Sequence, residues 1–368
     1  MIIIIYGTSG ELIKIAPLIK SLKKDTFLSI NTAQQPSQLR AICDEAGILE
    51  PTITVADGHK GQELSKIWHV GLWLPRVTLN LIRRNQEIRR IAKSDGCKPV
   101  VLVHGDTITT VIGAIYGRLN GFQVAHIEAG LRSHDWRNPF PEELDRMIVS
   151  KIARLHYAPG DTPARNLKLS HTKGRIINTK LNTVLDSIAL AREKPAKIDE
   201  LPVPTVYGLV SIHRNELMAQ PLILKQLIET INEYASKLPL VFLDHPVTKA
   251  RLTELEYDTL FTNKDLIRIP KQSYYRFMSL LANSDFVVTD SGGLQEESAY
   301  INKPCLLHRL ATERDEGLGQ NVVLSKFDDV VVREFLEAPS KYIGTKADKK
   351  VSPTKIITDS LKELGYLK

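Results

Sequence analysis

Phe286-Val287-Val288-Thr289-Asp290-Ser291-Gly292-Gly293-Leu294-Gln295-Glu296-Glu297 passes from an apolar, β-branched run through a glycine pair into a helical pattern. A short apolar run without polar alternation reads as a parallel strand buried on both faces. Two glycines let the backbone approach an anion closely, and a helix N-terminus offers free N–H groups and a positive dipole. A diphosphate fits such a turn, with Ser291, Gly292 and Gly293 around it. One turn on, Glu296 and Glu297 are placed to face a ribose, whose vicinal hydroxyls suit a carboxylate acceptor. The plainer reading makes Asp290 an N-cap and the glycines turn formers.

The same strand–turn–helix unit repeats outward from this stretch. Ile2–Tyr6, Val100–Val103 and Val124–His126 read as buried parallel strands, and Leu12–Lys24 (despite Pro17) and Ile108–Leu119 as helices. Thr183–Glu193 reads as a helix, and Lys-Pro-Ala-Lys with Leu-Pro-Val-Pro after it as a linker. The rhythm then restarts, with strands at Val206–Ile212, Leu240–Leu243 and Phe286–Thr289, and helices at Leu222–Ser236, Tyr274–Leu281 and Leu294–Tyr300. The expected fold is α/β, with two Rossmann-like domains facing each other across a cleft. The expected boundary lies near residue 180, giving domains 1–180 and 181–353. A terminal helix within 354–368 is placed to pack back on the first half.

A length of 368 residues favours two domains over one, and 43% hydrophobic with 25% charged residues is ordinary for a globular protein. No stretch approaches the roughly 20 apolar residues of a membrane helix. Cys43, Cys97 and Cys305 are far apart, without metal-type pairing, and fit a reducing cytoplasm. The formal net charge of +7 is compatible with nucleic acid, an anionic surface or a phosphate-bearing substrate. Arg83, Arg84, Arg89, Arg90 and Lys93 alternate with Leu81, Ile82, Ile88 and Ile91 and read as the solvated face of a helix. No nucleic-acid module is present.

In open α/β sheets ligands sit beyond the carboxyl ends of strands. His104-Gly105-Asp106-Thr107 ends one strand and His126-Ile127-Glu128-Ala129-Gly130-Leu131-Arg132 another. Pro139-Phe140-Pro141-Glu142-Glu143 opens a helix, where acids ordinarily complement the dipole. Three carboxylates converging on one cleft would be costly without a use such as proton transfer. Ser211-Ile212-His213-Arg214-Asn215-Glu216 ends the first strand of the second half, where His213 and Arg214 suit a phosphate. Asp244-His245-Pro246 ends the next strand, and Arg314 either neutralises a diphosphate or pairs with a surface acid. Gly7-Thr8-Ser9-Gly10-Glu11 is a further glycine-rich turn, with Lys14 one turn inside the helix.

These segments, in this order, closely resemble the non-hydrolysing UDP-N-acetylglucosamine 2-epimerases, from Gly7 to about Arg314. The resemblance implies a GT-B fold, a homodimer, no metal and no nicotinamide cofactor. It implies interconversion of UDP-GlcNAc and UDP-ManNAc for cell-surface polysaccharide, by elimination of UDP and re-addition through a glycal. Carried over by matching position, Asp106, Glu128 and Glu142 are the catalytic carboxylates and His213 the histidine near the diphosphate. Ser291, Gly292, Gly293, Glu297 and Arg314 fall on the UDP site, Gln272 and Phe277 on the uracil contacts, and Lys14 on a basic residue near the phosphates. The chain departs from the family pattern where Ser9-Gly10 replaces Arg-Pro, Asp315-Glu316 replaces Pro-Glu, Leu181-Asn182-Thr183 replaces Gly-Asn-Thr, and Asp348–Val351 replaces Gly-Asp-Gly. The alternative is a UDP-sugar-dependent glycosyltransferase of the same fold, which would need an acceptor groove but no carboxylate trio.

Overall fold

The computed structural model describes residues 1–36, 38–58, 61, 64, 67–133, 140–312, 314–344 and 351–368. The chain forms two compact units, Met1–Leu190 with Lys350–Lys368, and Ala191–Lys349.

The first unit is built on seven parallel strands: β1 Ile2–Tyr6, β2 Phe27–Asn31, β3 Ile53–Thr54, β4 Val100–His104, β5 Gln123–Ile127, β6 Leu155–Ala158 and β7 Arg175–Asn178. Their order, β3-β2-β1-β4-β5-β6-β7, reverses direction at β1/β4 and is doubly wound. β1 is apolar throughout because helices cover both sheet faces. Ile3 and Ile5 join Val101 and Val103 in one core cluster, while Ile2, Ile4 and Tyr6 join Val100 and Leu102 in the other. Successive strand side chains point to opposite faces, so one run feeds two cores.

The helix Ser9–Ser21 opens with a capping box between Thr8 and Glu11 and runs through Pro17. A proline at that point removes the N–H that would reach the carbonyl of Ile13. The Ser187 hydroxyl donates to that oxygen at 2.8 Å, so it is not orphaned. The helix Pro353–Glu363 lies on the same unit. Its Ile357 and Leu361 are fully buried with Ile2 and Ile4, and Ser360 hydrogen-bonds Tyr157 at 2.7 Å.

The basic run expected on one helix spans two, Ile67–Arg83 and Asn85–Ala92, which break at Arg84. Arg83, Arg84, Arg89, Arg90 and Lys93 are exposed, while Leu81 and Ile88 are buried.

The second unit holds six parallel strands: β8 Gly208–Ser211, β9 Leu240–Asp244, β10 Leu266–Pro270, β11 Val287–Thr289, β12 Cys305–Leu307 and β13 Val322–Leu324. The order β10-β9-β8-β11-β12-β13 reverses at β8/β11. Val210, Phe242, Val288 and Leu306 share one core cluster. Residues 194–207, which carry the Pro-rich stretch, belong to no helix or strand. Among the described residues no helix is long and apolar enough to cross a membrane.

Candidate functional site

In the first unit, the carboxyl ends of three neighbouring strands carry the candidate residues: the Gly7 turn after β1, Gly105-Asp106 after β4 and Glu128 after β5. Glu128 is buried and has a φ of 65°, a left-handed conformation that costs a non-glycine residue about 1–2 kcal/mol. Its neighbour Ala129 fixes the turn by donating to the Tyr157 carbonyl at 2.9 Å. The Glu128 carboxylate accepts from Lys14 Nζ at 2.8 and 2.9 Å and from Asn182 Nδ2 at 2.7 Å. His104 Nε2 lies 3.6 Å from its Oε2. Gly105 stands beside it at φ 68°, a conformation that strains any L side chain, although a Cβ there would make only ordinary contact with Glu128 Oε2, at 3.5 Å.

Asp106 receives a hydrogen bond from Arg146 Nη2, and its side chain is 29% exposed. Glu142 begins the helix Glu142–Ile152 and keeps a buried Oε2 that has no hydrogen-bond partner among the described residues. One turn on, Asp145 is buried, and its Oδ2 likewise has no partner among them. Burial first, then the Asp106 and Glu142 carboxylates, push the Asp145 carboxyl up to about 7, against the pull of Arg146. Thus Asp106, Glu142 and Asp145 form one electrostatic cluster, and Lys14 and Glu128 form an ion pair. Pro139, which precedes this helix in the motif, lies outside the described residues.

Glu11 ties the first turn to the second. Its carboxylate accepts from the amides of Gly7 (2.9 Å) and Thr8 (2.8 Å) and from the hydroxyls of Thr8 (3.0 Å), Thr107 (2.7 Å) and Thr110 (3.2 Å). Ser9, at the position where the family pattern has arginine, donates its amide to Gln35 Oε1 at 3.1 Å.

In the second unit, the ends of β8 and β11 meet. Asp290 is fully buried and accepts from the amides of His213 (2.9 and 3.0 Å) and Arg214 (2.8 Å). It is therefore not the helix cap. Ser291 caps Gly292–Ile301 instead, taking the Leu294 amide at 3.5 Å. The His213 ring stacks on His245 with centroids 4.4 Å apart, and His245 Nε2 meets Ser211 Oγ at 3.3 Å. Burial first, then the charges of Arg214 and Lys271, hold the His213 imidazole below its ordinary value, although Asp290 opposes them. Burial, His213 and Lys271 push His245 down to about 3. A Cβ on Gly293 would meet only Ser291 Oγ, at 3.7 Å, so the backbone of the turn is approachable.

Glu296, expected beside Glu297 as a ribose acceptor, is fully buried instead. It takes Arg314 Nη1 at 2.7 Å and the Tyr300 hydroxyl at 3.1 Å. Gln295 donates to the carbonyls of Arg314 and Glu316, both at 3.1 Å, which holds the Arg314 loop over this helix. Glu297 is half-buried next to Tyr274, whose phenol is raised well above its ordinary value by burial and then by the Glu297 charge. Phe277 is half-buried on the helix Tyr274–Asn283. Gln272 spends its amide on the Pro270 carbonyl at 2.6 Å. Glu313 and Asp348 lie outside the described residues.

The tertiary structure adds Asn182, Arg146, Asp145, Glu11 and Asp290 to this picture. In the sequence Asn182 stands out only as part of a departure from a motif; its amide reaches Glu128 across 54 residues of sequence. Among the described residues no group of three or more His, Cys, Asp or Glu is arranged to hold a metal.

A sequence model of the family described as UDP-N-acetylglucosamine 2-epimerase matches residues 43–352. A UDP-N-acetylglucosamine 2-epimerase of Methanococcus maripaludis is 32% identical over 86% of this chain and 85% of its own length. That of Methanocaldococcus jannaschii is 30% identical over 90% of both chains. Among solved structures, the UDP-GlcNAc 2-epimerase of Neisseria meningitidis bound to UDP-GlcNAc superposes with a TM-score of 0.81 at 26% identity, covering 98% of this chain and 99% of that one. The Methanocaldococcus jannaschii enzyme in complex with UDP-GlcNAc and UDP superposes with a TM-score of 0.77 at 26% identity, with the same coverage.

Proposed function

The chain belongs to the UDP-N-acetylglucosamine 2-epimerase family, a family of isomerases, and on that premise we propose that it interconverts UDP-GlcNAc and UDP-ManNAc. A carboxylate takes the C2 proton while the C1–O bond to UDP breaks, leaving UDP and 2-acetamidoglucal. A proton then adds to C2 from the opposite face and UDP returns to C1. This chemistry needs acid–base groups near C2 and stabilisation of the departing diphosphate.

The observation that carries the proposal is the set of carboxylates at the carboxyl end of the first sheet. Asp106 and Glu128 follow adjacent strands, and Glu142 shares an electrostatic cluster with Asp106. We assign these three to the sugar, with Lys14 paired to Glu128. In the second half we assign His213, Arg214, Ser291, Gly292, Gly293 and Arg314 to the diphosphate, Glu297 to the ribose, and Gln272 and Phe277 to uracil. The open backbone at Gly293, at the start of a helix, supports that assignment. The functional domains we propose are 1–180 with the terminal helix for the chemistry, and 181–353 for UDP.

We also propose a homodimer working in the cytoplasm, supplying a cell-surface polysaccharide. Ile67–Arg83 has two apolar faces. Trp73, Val77 and Leu81 are buried in the core, while Trp68, Leu72, Leu79 and Ile82 form a second, exposed stripe on the helix. An exposed apolar stripe of this length is a candidate subunit contact.

Incubation with UDP-GlcNAc in deuterium oxide tests the function. Epimerisation puts deuterium at C2 and yields UDP-ManNAc. Absence of exchange, with turnover only when an acceptor sugar is added, overturns it in favour of glycosyl transfer.

A further inference from the structure

The first unit contains a charged group that the proposed chemistry leaves without a role. Arg146 lies one turn beyond Glu142 on the helix Glu142–Ile152, with its side chain 4% exposed. Its two terminal nitrogens are divided. Nη2 donates to Asp106 Oδ2, and Nη1 donates to Glu143 Oε2 at 3.3 Å. Glu143 is buried as deeply, and accepts the Ser133 amide at 3.1 Å as well. Arg132 Nε stands 3.8 Å from Glu143 Oε1. Arg132 is fixed in turn by the Leu131 carbonyl and the Ser150 hydroxyl, both at 2.7 Å, and Ser150 closes the ring by donating to the Arg146 carbonyl at 2.7 Å.

We propose that Arg146, anchored by Glu143, is the positioning residue for Asp106. This rests on Asp106 acting at C2 as assigned above. The direction of control follows from burial. The guanidinium is locked in a ring of buried partners, whereas Asp106 stands on a loop with its side chain partly open to solvent. A buried, planar fork with both arms occupied fixes the plane and the reach of the carboxylate it holds. It also explains the acid pair at the helix start. Glu142 keeps an oxygen unpartnered among the described residues, and its neighbour Glu143 holds the arginine.

Lysine keeps the charge but loses the fork, so Arg146→Lys separates positioning from simple neutralisation. The expected result in UDP-GlcNAc epimerisation is a kcat lower by about 100-fold, the scale of a 1 Å misplacement. KM and the affinity for UDP should stay within about threefold, because the group acts after binding. Deuterium entry at C2 should fall in step with kcat. Glu143→Gln should show the same pattern more weakly, and carries the test if the arginine variant does not fold. A folded Arg146→Lys or Glu143→Gln enzyme with the parent kcat, or one that loses UDP affinity and KM in step with kcat, overturns the proposal. An inactive parent enzyme instead overturns the epimerase reading on which it rests.

Discussion

At the scale of single residues, the site is a matter of which charges are held and which are left free. Glu128 is engaged by a lysine and an amide, and Asp106 by an arginine. Asp106→Asn and Glu128→Gln should each abolish epimerisation while UDP binding, measured by calorimetry, remains. Loss of UDP binding in both would mean they hold the nucleotide. Asp145 makes a different prediction. Its carboxyl is raised from an ordinary value of 3.8 to about 7, so the native state holds a proton that the unfolded chain releases. Stability therefore falls as pH rises from about 4 to about 7 and is flat above that. The contribution is on the order of 4 kcal/mol, and Asp145→Asn should remove it. Chemical denaturation at pH 5 and pH 8 checks this: the parent loses more stability than the variant between the two. The sequence singles out Asp106, Glu128 and Glu142 as candidates because polar residues ending an apolar strand or opening a helix stand out. It does not single out Asp145 and Arg146, because acids and bases within a surface helix look alike whether they face solvent or a site.

At the scale of elements, the turns after the strands are where close packing limits substitution. Gly7 is the tightest: a Cβ there would lie 2.1 Å from Thr32 Oγ1 and 2.4 Å from Thr109 Oγ1, which hydrogen-bond each other at 2.8 Å. Gly7→Ala should cost roughly 2–3 kcal/mol, read as a lowered denaturation midpoint, because the loop after β2 and the helix Ile108–Leu119 must shift. An unchanged midpoint would mean the turn is loose. At Gly10, in the same motif, a Cβ would meet open space, with nothing within 4 Å, so Gly10→Ala should be tolerated in the same assay. The strand and helix cores of this region could be read from hydrophobic pattern alone. The helix Ile108–Leu119 fell where its periodicity put it. The short edge strands β3 and β13, of two and three residues, carry too little pattern to be found without their partners.

At the scale of the whole molecule, the chain returns to its first unit at the end. Ile357 and Leu361 fill a core they share with β1, β4, β5 and β6 and with the helix Ser9–Ser21. Ile357→Ala should destabilise by about 2–4 kcal/mol in thermal or denaturant unfolding, the usual cost of emptying a buried aliphatic site. A negligible change would mean the helix is dispensable to that core. The exposed stripe on Ile67–Arg83 makes an assembly prediction. Ile82→Asp should convert a dimer to a monomer in light scattering, and a monomeric parent protein would remove the basis for the proposed contact.

The sequence by itself determined the alternation of strand and helix, the polar strand ends and the family motifs, because each is written in consecutive residues. Hydrophobic period and glycine placement are local properties, and the Phe286–Glu297 stretch is strand, turn and helix on those grounds. Only the tertiary structure decided how the charges are partnered. Asp290 serves the amides of His213 and Arg214 some 76 residues away, Glu296 is consumed by Arg314, and Asn182 reaches Glu128. Pairing of buried charges depends on distance in space, and adjacent strand ends bring together residues whose separation in sequence carries no signal.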